Sequence, residues 1–186
     1  MRKQKRELRI MNTSLPIKEI QVINKIKELY LKKGLIGDYL MFLLAINTGI
    51  NIKTLLTLKV KDVKNKYYLT IGKGKTLPLR DELIKVIKEY IKNKQVDEPL
   101  FCNKNGKPID RVTVFYKFKK ICTELGLGDK YSASSWRKTF GYHYYQKYKD
   151  LTYLQWLFNQ ATVSDALKFI NVDENLNLRY RKGIAI

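Results

Sequence analysis

Histidine is almost missing from this chain: His143 is the one imidazole in 186 residues. Two cysteines, Cys102 and Cys122, stand at no metal-ligand spacing, and a single histidine cannot complete a set with them. The sequence therefore predicts no metal and no cofactor. One disulfide could form, although two ordinary thiols in a reducing cytoplasm fit this usage better. Long hydrophobic runs are also lacking, and none approaches the ~18 residues that a membrane-crossing helix needs. The basic N-terminal stretch has no apolar segment behind it, so it does not read as a signal peptide. Acidic residues are the scarce sign, 17 Asp and Glu against 37 Lys and Arg, for a formal charge of +20. Such an excess repels itself unless a polyanion is near, which makes nucleic acid the expected partner. A generally basic proteome or a ribosome-associated role is the other reading of the charge.

What is present suffices for one domain, since 45% of the 186 residues are apolar. Apolar residues recur at three- and four-residue spacing through Ile20, Ile23, Ile26, Leu29 and Tyr30, after Pro16 and before Gly34. A second helical run carries Tyr39, Phe42, Leu43 and Ile46 up to Gly49, and a short third covers 52–58. The period then drops to two, predicting strands over 67–71 and 76–79 around a glycine-punctuated hairpin. Helical patterns return over 81–94, 112–125, 134–148, 150–159 and 162–170, with a turn at 103–108. The expected fold class is α+β, mostly helical with a small antiparallel sheet.

Four segments share an order and spacing that go beyond secondary structure: Thr48-Gly49-Ile50-Asn51 with its Leu-rich helix and Asp62-Val63; Ile71-Gly72-Lys73-Gly74-Lys75 with Leu77-Pro78-Leu79; Ser134-Ser135-Trp136-Arg137-Lys138-Thr139-Phe140; and Leu157-Phe158-Asn159-Gln160, with Phe169 nine residues on. Together they resemble the boxes of the tyrosine recombinase (phage integrase) family. The family reads Thr/Ser-Gly-x-Arg, a hairpin Gly-Lys-Gly, His-x-Leu-Arg-x-Thr-Phe and Leu-(Leu/Phe)-(Gly/Asn)-His, followed by a tyrosine. The resemblance covers nearly the whole chain. It implies a basic flexible arm over 1–14, a stand-alone integrase/recombinase catalytic-type domain over 15–175, and a C-terminal tail over 176–186.

In that family a tyrosine oxygen attacks the scissile phosphate, arginines and a histidine hold the non-bridging oxygens, and a hairpin lysine protonates the leaving oxygen. Carried over residue by residue, Arg137 matches the second arginine and Lys73 the hairpin lysine, with Lys75 beside it. The remaining positions are substituted. Asn51 stands for the first arginine, Ser134 and Gln160 for the histidines, and Phe169 for the nucleophile. An amide brings no charge, a serine shuttles no proton near neutral pH, and a phenyl ring has no oxygen to attack with. The helical apolar setting of Phe169 reads as core. Tyr144, Tyr145, Tyr148, Tyr153 and Tyr180 could be substitute nucleophiles, but none lies at the family offset. His143, six residues after Arg137, is expected to point away from the phosphate side.

The resemblance implies duplex DNA as partner, gripped by Arg137, Lys73, Lys75, Lys138 and the arm residues Arg2, Lys3, Lys5 and Arg6. It also implies a cytoplasmic, nucleoid-associated location in a bacterial host, with self-association or a full-length recombinase as further partners. The expected function is a phage or mobile-element protein that binds DNA in integration or recombination without strand cleavage. Two alternatives stay open: an active recombinase with a non-standard nucleophile, and a protein–protein adaptor whose charge is incidental.

Overall fold

The computed structural model describes residues 14–72, 74–103 and 105–173. Helix α1 (Ile20–Lys32) buries Ile23, Ile26 and Tyr30 on one face, as its spacing predicts. Helix α2 (Ile36–Thr48) is apolar nearly all round, and it packs against α1 and two later helices rather than facing solvent. Gly49 ends it in the left-handed region at φ +69°, and a Cβ there would lie 2.6 Å from Phe140. That contact brings the first family box directly against the third.

Two single-turn helices follow, α3 (Ile52–Leu55) and α4 (Val60–Val63). The second was not expected from periodicity; the Asp62 carboxylate accepts from the Lys59 backbone N–H at 2.8 Å and closes that turn. Strands β1 (Tyr68–Ile71) and β2 (Lys75–Pro78) pair antiparallel with Leu69 opposite Leu77, both fully buried. Strand β2 thus starts and ends one residue earlier than its pattern suggests.

Helices α5 (Asp81–Ile91), α6 (Arg111–Glu124), α7 (Ala133–Tyr148), α8 (Leu151–Phe158) and α9 (Val163–Phe169) complete the described chain. The expected fold class holds: a mostly helical α+β domain with a two-stranded antiparallel sheet. At its centre Trp136 of α7 meets Phe42 of α2 and Phe118 of α6 edge-on, with centroids 5.6 and 5.1 Å away. This fixes α7 and therefore Arg137, one residue on. Gly141 performs a second positioning task, because a Cβ there would meet Ile170 and Phe158 at 2.6 Å each. Only hydrogen lets α7 lie this close to α8 and to the end of α9.

Residues 1–13 of the expected arm lie outside the described residues. Ser14, assigned to the flexible arm, is buried and hydrogen-bonded to Ser134 at 2.6 Å. Both cysteines are free thiols, Cys102 partly exposed and Cys122 buried. No helix among the described residues is long and apolar enough to cross a membrane.

Candidate nucleic-acid interface

A cavity of about 210 Å³ gathers segments far apart in sequence: Asn51, Ile52 and Lys53 from α3; Arg111 and Phe115 from α6; Ala133, Ser134 and Arg137 from α7; and Phe169 from α9. Four predicted site positions therefore meet in one place. Ala133, Ser134 and Arg111 belong to the first turns of long helices, whose N–H dipoles favour negative charge. Among the described residues no carboxylate lines it.

Arg137 is the best-defined side chain of the cavity. One terminal nitrogen donates to the Leu157 carbonyl at 2.9 Å, and the guanidinium lies 4.8 Å from the Phe158 ring centre. Its Nε is buried without a partner. Burial lowers its pKa to about 10, which still leaves it cationic at neutral pH. A desolvated guanidinium with an unmatched N–H is destabilised, and an anion in the cavity would offset that.

Asn51 is a helix cap as well as a wall. Its Oδ1 accepts from the Thr54 N–H at 2.8 Å, leaving the amide nitrogen as the group it can offer. The Ser134 hydroxyl is bound to those of Ser14 and Ser132 at 2.6 and 2.7 Å, tying the start of the domain to the first turn of α7. Phe169 lines the cavity and packs on Phe158 with centroids 4.9 Å apart, partly buried against the core.

Gln160 is not part of this cavity. It borders a second one of about 400 Å³, with Lys75, Trp156 and Asn159. Lys75 donates there to the Trp156 carbonyl and to Asn159 Oδ1 at 2.7 Å, and sits 4.6 Å from the Trp156 ring centre. Partial burial lowers its pKa, and the positive charge of Arg137 lowers it further. The two cations thus sense each other, and the hairpin docks on the C-terminal end of α8.

Lys138 departs from expectation. Its Nζ is buried, donates to the Ser14 carbonyl at 2.6 Å and lies 5.5 Å from the Phe169 ring centre, with a pKa lowered by burial. It reaches into the domain, because a helical step of about 100° turns it away from the face of Arg137. His143 turns away as expected, its Nε2 lying 3.0 Å from the Ile17 carbonyl oxygen. Lys73, Arg2, Lys3, Lys5, Arg6 and the tail 176–186 lie outside the described residues.

Two cations of the cavity went unnoticed in the sequence: Lys53 and Arg111. Among 37 basic residues neither announces itself, although Asp110 before an amphipathic run does mark Arg111 as a first-turn residue. Among the described residues no cluster of His, Cys, Asp or Glu could hold a metal.

Residues 13–175 match the phage integrase family. The chain belongs to that family. Its similar relatives include the probable integrase/recombinase YoeC of Bacillus subtilis, 34% identical over 171 residues, spanning 89% of this chain and 93% of YoeC. Tyrosine recombinase XerC of Caldanaerobacter subterraneus is 31% identical over 148 residues, 74% of this chain but 42% of XerC. The chain thus spans nearly all of YoeC and less than half of that XerC. Among solved structures, the Tn1549 transposon integrase in complex with circular intermediate DNA superposes with a TM-score of 0.74 at 16% identity, over 91% of this chain and 65% of that one. The XerH recombinase bound to its difH substrate gives 0.71 at 24% identity, over 92% and 52%. These structural likenesses establish the integrase-family fold.

Proposed function

We propose that this phage integrase family member grips duplex DNA in phage or mobile-element integration and recombination, and does not cut it. One observation carries the reading. The cavity where four of the expected site positions meet is lined by Arg137, Arg111 and Lys53, with no carboxylate among the described residues, and by Phe169, which we read as standing at the family's tyrosine position. The cations suit a phosphodiester, and the phenyl ring offers no nucleophile. No tyrosine lines the cavity among the described residues. Relatives named as integrases and recombinases, and solved neighbours that carry DNA, support the same partner. Such a protein would act at recombination sites on host DNA as an accessory or regulatory binder, alone, with a second copy of itself or beside a full-length recombinase.

Incubation with nicked suicide duplexes, followed by denaturing electrophoresis, tests the chemistry. The expected result is no covalent adduct; a band that survives SDS would mean that another nucleophile operates. Binding to duplex DNA should fall by orders of magnitude between about 50 and 200 mM salt if several phosphates are gripped. Salt-insensitive or absent binding would instead favour the adaptor reading.

A further inference from the structure

Asn51 leaves the cavity without the guanidinium that its position would otherwise supply, and its own Oδ1 is committed to capping α3. Arg137 approaches from α7 with one nitrogen already on the Leu157 carbonyl. The two non-bridging oxygens of a phosphodiester share a full negative charge and carry several lone pairs, more than Arg137, with one N–H already committed, fills alone. Arg111 reaches the same cavity from another element, the first turn of α6. Its neighbour Asp110 caps the same helix: Oδ1 accepts from the Thr113 N–H and Oδ2 from the Thr113 hydroxyl, at 2.8 and 2.9 Å.

We infer that Arg111 is the second positive arm of the phosphate site, supplying from α6 the charge that Asn51 does not bring. This rests on the DNA-binding reading above and deepens it. Arg111 and Arg137 hold one phosphate between them, each from its own helix. Arg111 is here a binding residue. It provides charge and hydrogen bonds to the diester and no proton-transfer chemistry.

The test is anisotropy titration of the full chain against a labelled mixed-sequence duplex over a range of salt, with Lys85→Ala on α5 as a control that removes the same unit of charge from an exposed position off the cavity. Arg111→Ala should weaken binding about tenfold and reduce the salt slope by about one, beyond the control. Arg111→Lys should keep part of the affinity, since it retains the charge but not the fork. Because the two arginines share a ligand, the Arg111→Ala and Arg137→Ala losses should combine to less than their product. Asn51→Arg in the Arg111→Ala background should return most of the lost affinity. If Arg137→Ala weakens binding while Arg111→Ala matches the control, the inference falls and the DNA reading stands. Losses that multiply independently would also overturn it. If the wild-type chain binds without salt dependence, both fall together.

Discussion

At the residue scale, burial acts on titratable groups in ways that composition does not reveal. Arg137 and Lys138 are adjacent in sequence, yet one faces an anion-friendly cavity and the other reaches the Ser14 carbonyl inside the domain. Cys122 gives a measurable consequence. Its thiol is on the buried face of α6, and desolvation pushes its pKa up to about 12. In the unfolded chain a thiol loses its proton near pH ~8.5. Above that pH the unfolded state binds fewer protons than the folded one, so stability falls as pH rises, by about 1.4 kcal/mol per unit until the folded pKa is reached. Denaturant titrations at pH 7.5 to 9.5 (about two units, spanning the thiol's unfolded value) should show this decline in the wild type and a smaller one in Cys122→Val. Equal slopes in the two proteins would mean that the thiol is not protected.

At the element scale, most of the fold is legible in the periodicity, because long helices with one apolar face write their spacing directly into the sequence. Helices α1, α5 and the glycine hairpin are of this kind. Helix α4 is not, since its four residues are shorter than one full repeat and are held by the Asp62 cap. Helix α7 is legible as a helix but not in its facing. Ser135, Lys138 and Thr139 are all on its buried side, so polarity does not separate core from surface there. The glycines decide the approach of these elements. Replacing Gly141 by alanine would normally favour the helix by about 1 kcal/mol. Here the new methyl would meet Ile170 and Phe158 at 2.6 Å, both buried side chains with little room to yield. Overpacking of about 1–3 kcal/mol should win, giving a lower melting temperature for Gly141→Ala. A rise in melting temperature would show that α8 and α9 can shift away from α7.

At the scale of the whole molecule, charge and chemistry separate. The +20 excess and the family boxes were readable from composition and spacing. The convergence of Arg111 and Lys53 with Arg137 was not, because it depends on α6 folding back across α3 and α7. Nor could the sequence tell that Gln160 borders a neighbouring cavity with Lys75. On the reading proposed above, the site holds a phosphate with Arg111 and Arg137 and does not break one. Restoring the nucleophile alone tests that separation. Phe169→Tyr adds a hydroxyl at the position read as the family's tyrosine, on a ring that packs against Phe158, and DNA affinity should stay near the wild-type value. Ser134, with its hydroxyl engaged by Ser14 and Ser132, cannot carry a proton near neutral pH. A positioned arginine in phosphoryl transfer contributes on the order of 10³–10⁵ in rate, and Arg111 comes from a different helix than position 51. Phe169→Tyr should therefore bind nicked duplex and give no SDS-stable adduct. Adduct formation by this single variant would mean that the retained cations already suffice for cleavage, and that the phenylalanine alone keeps the protein silent.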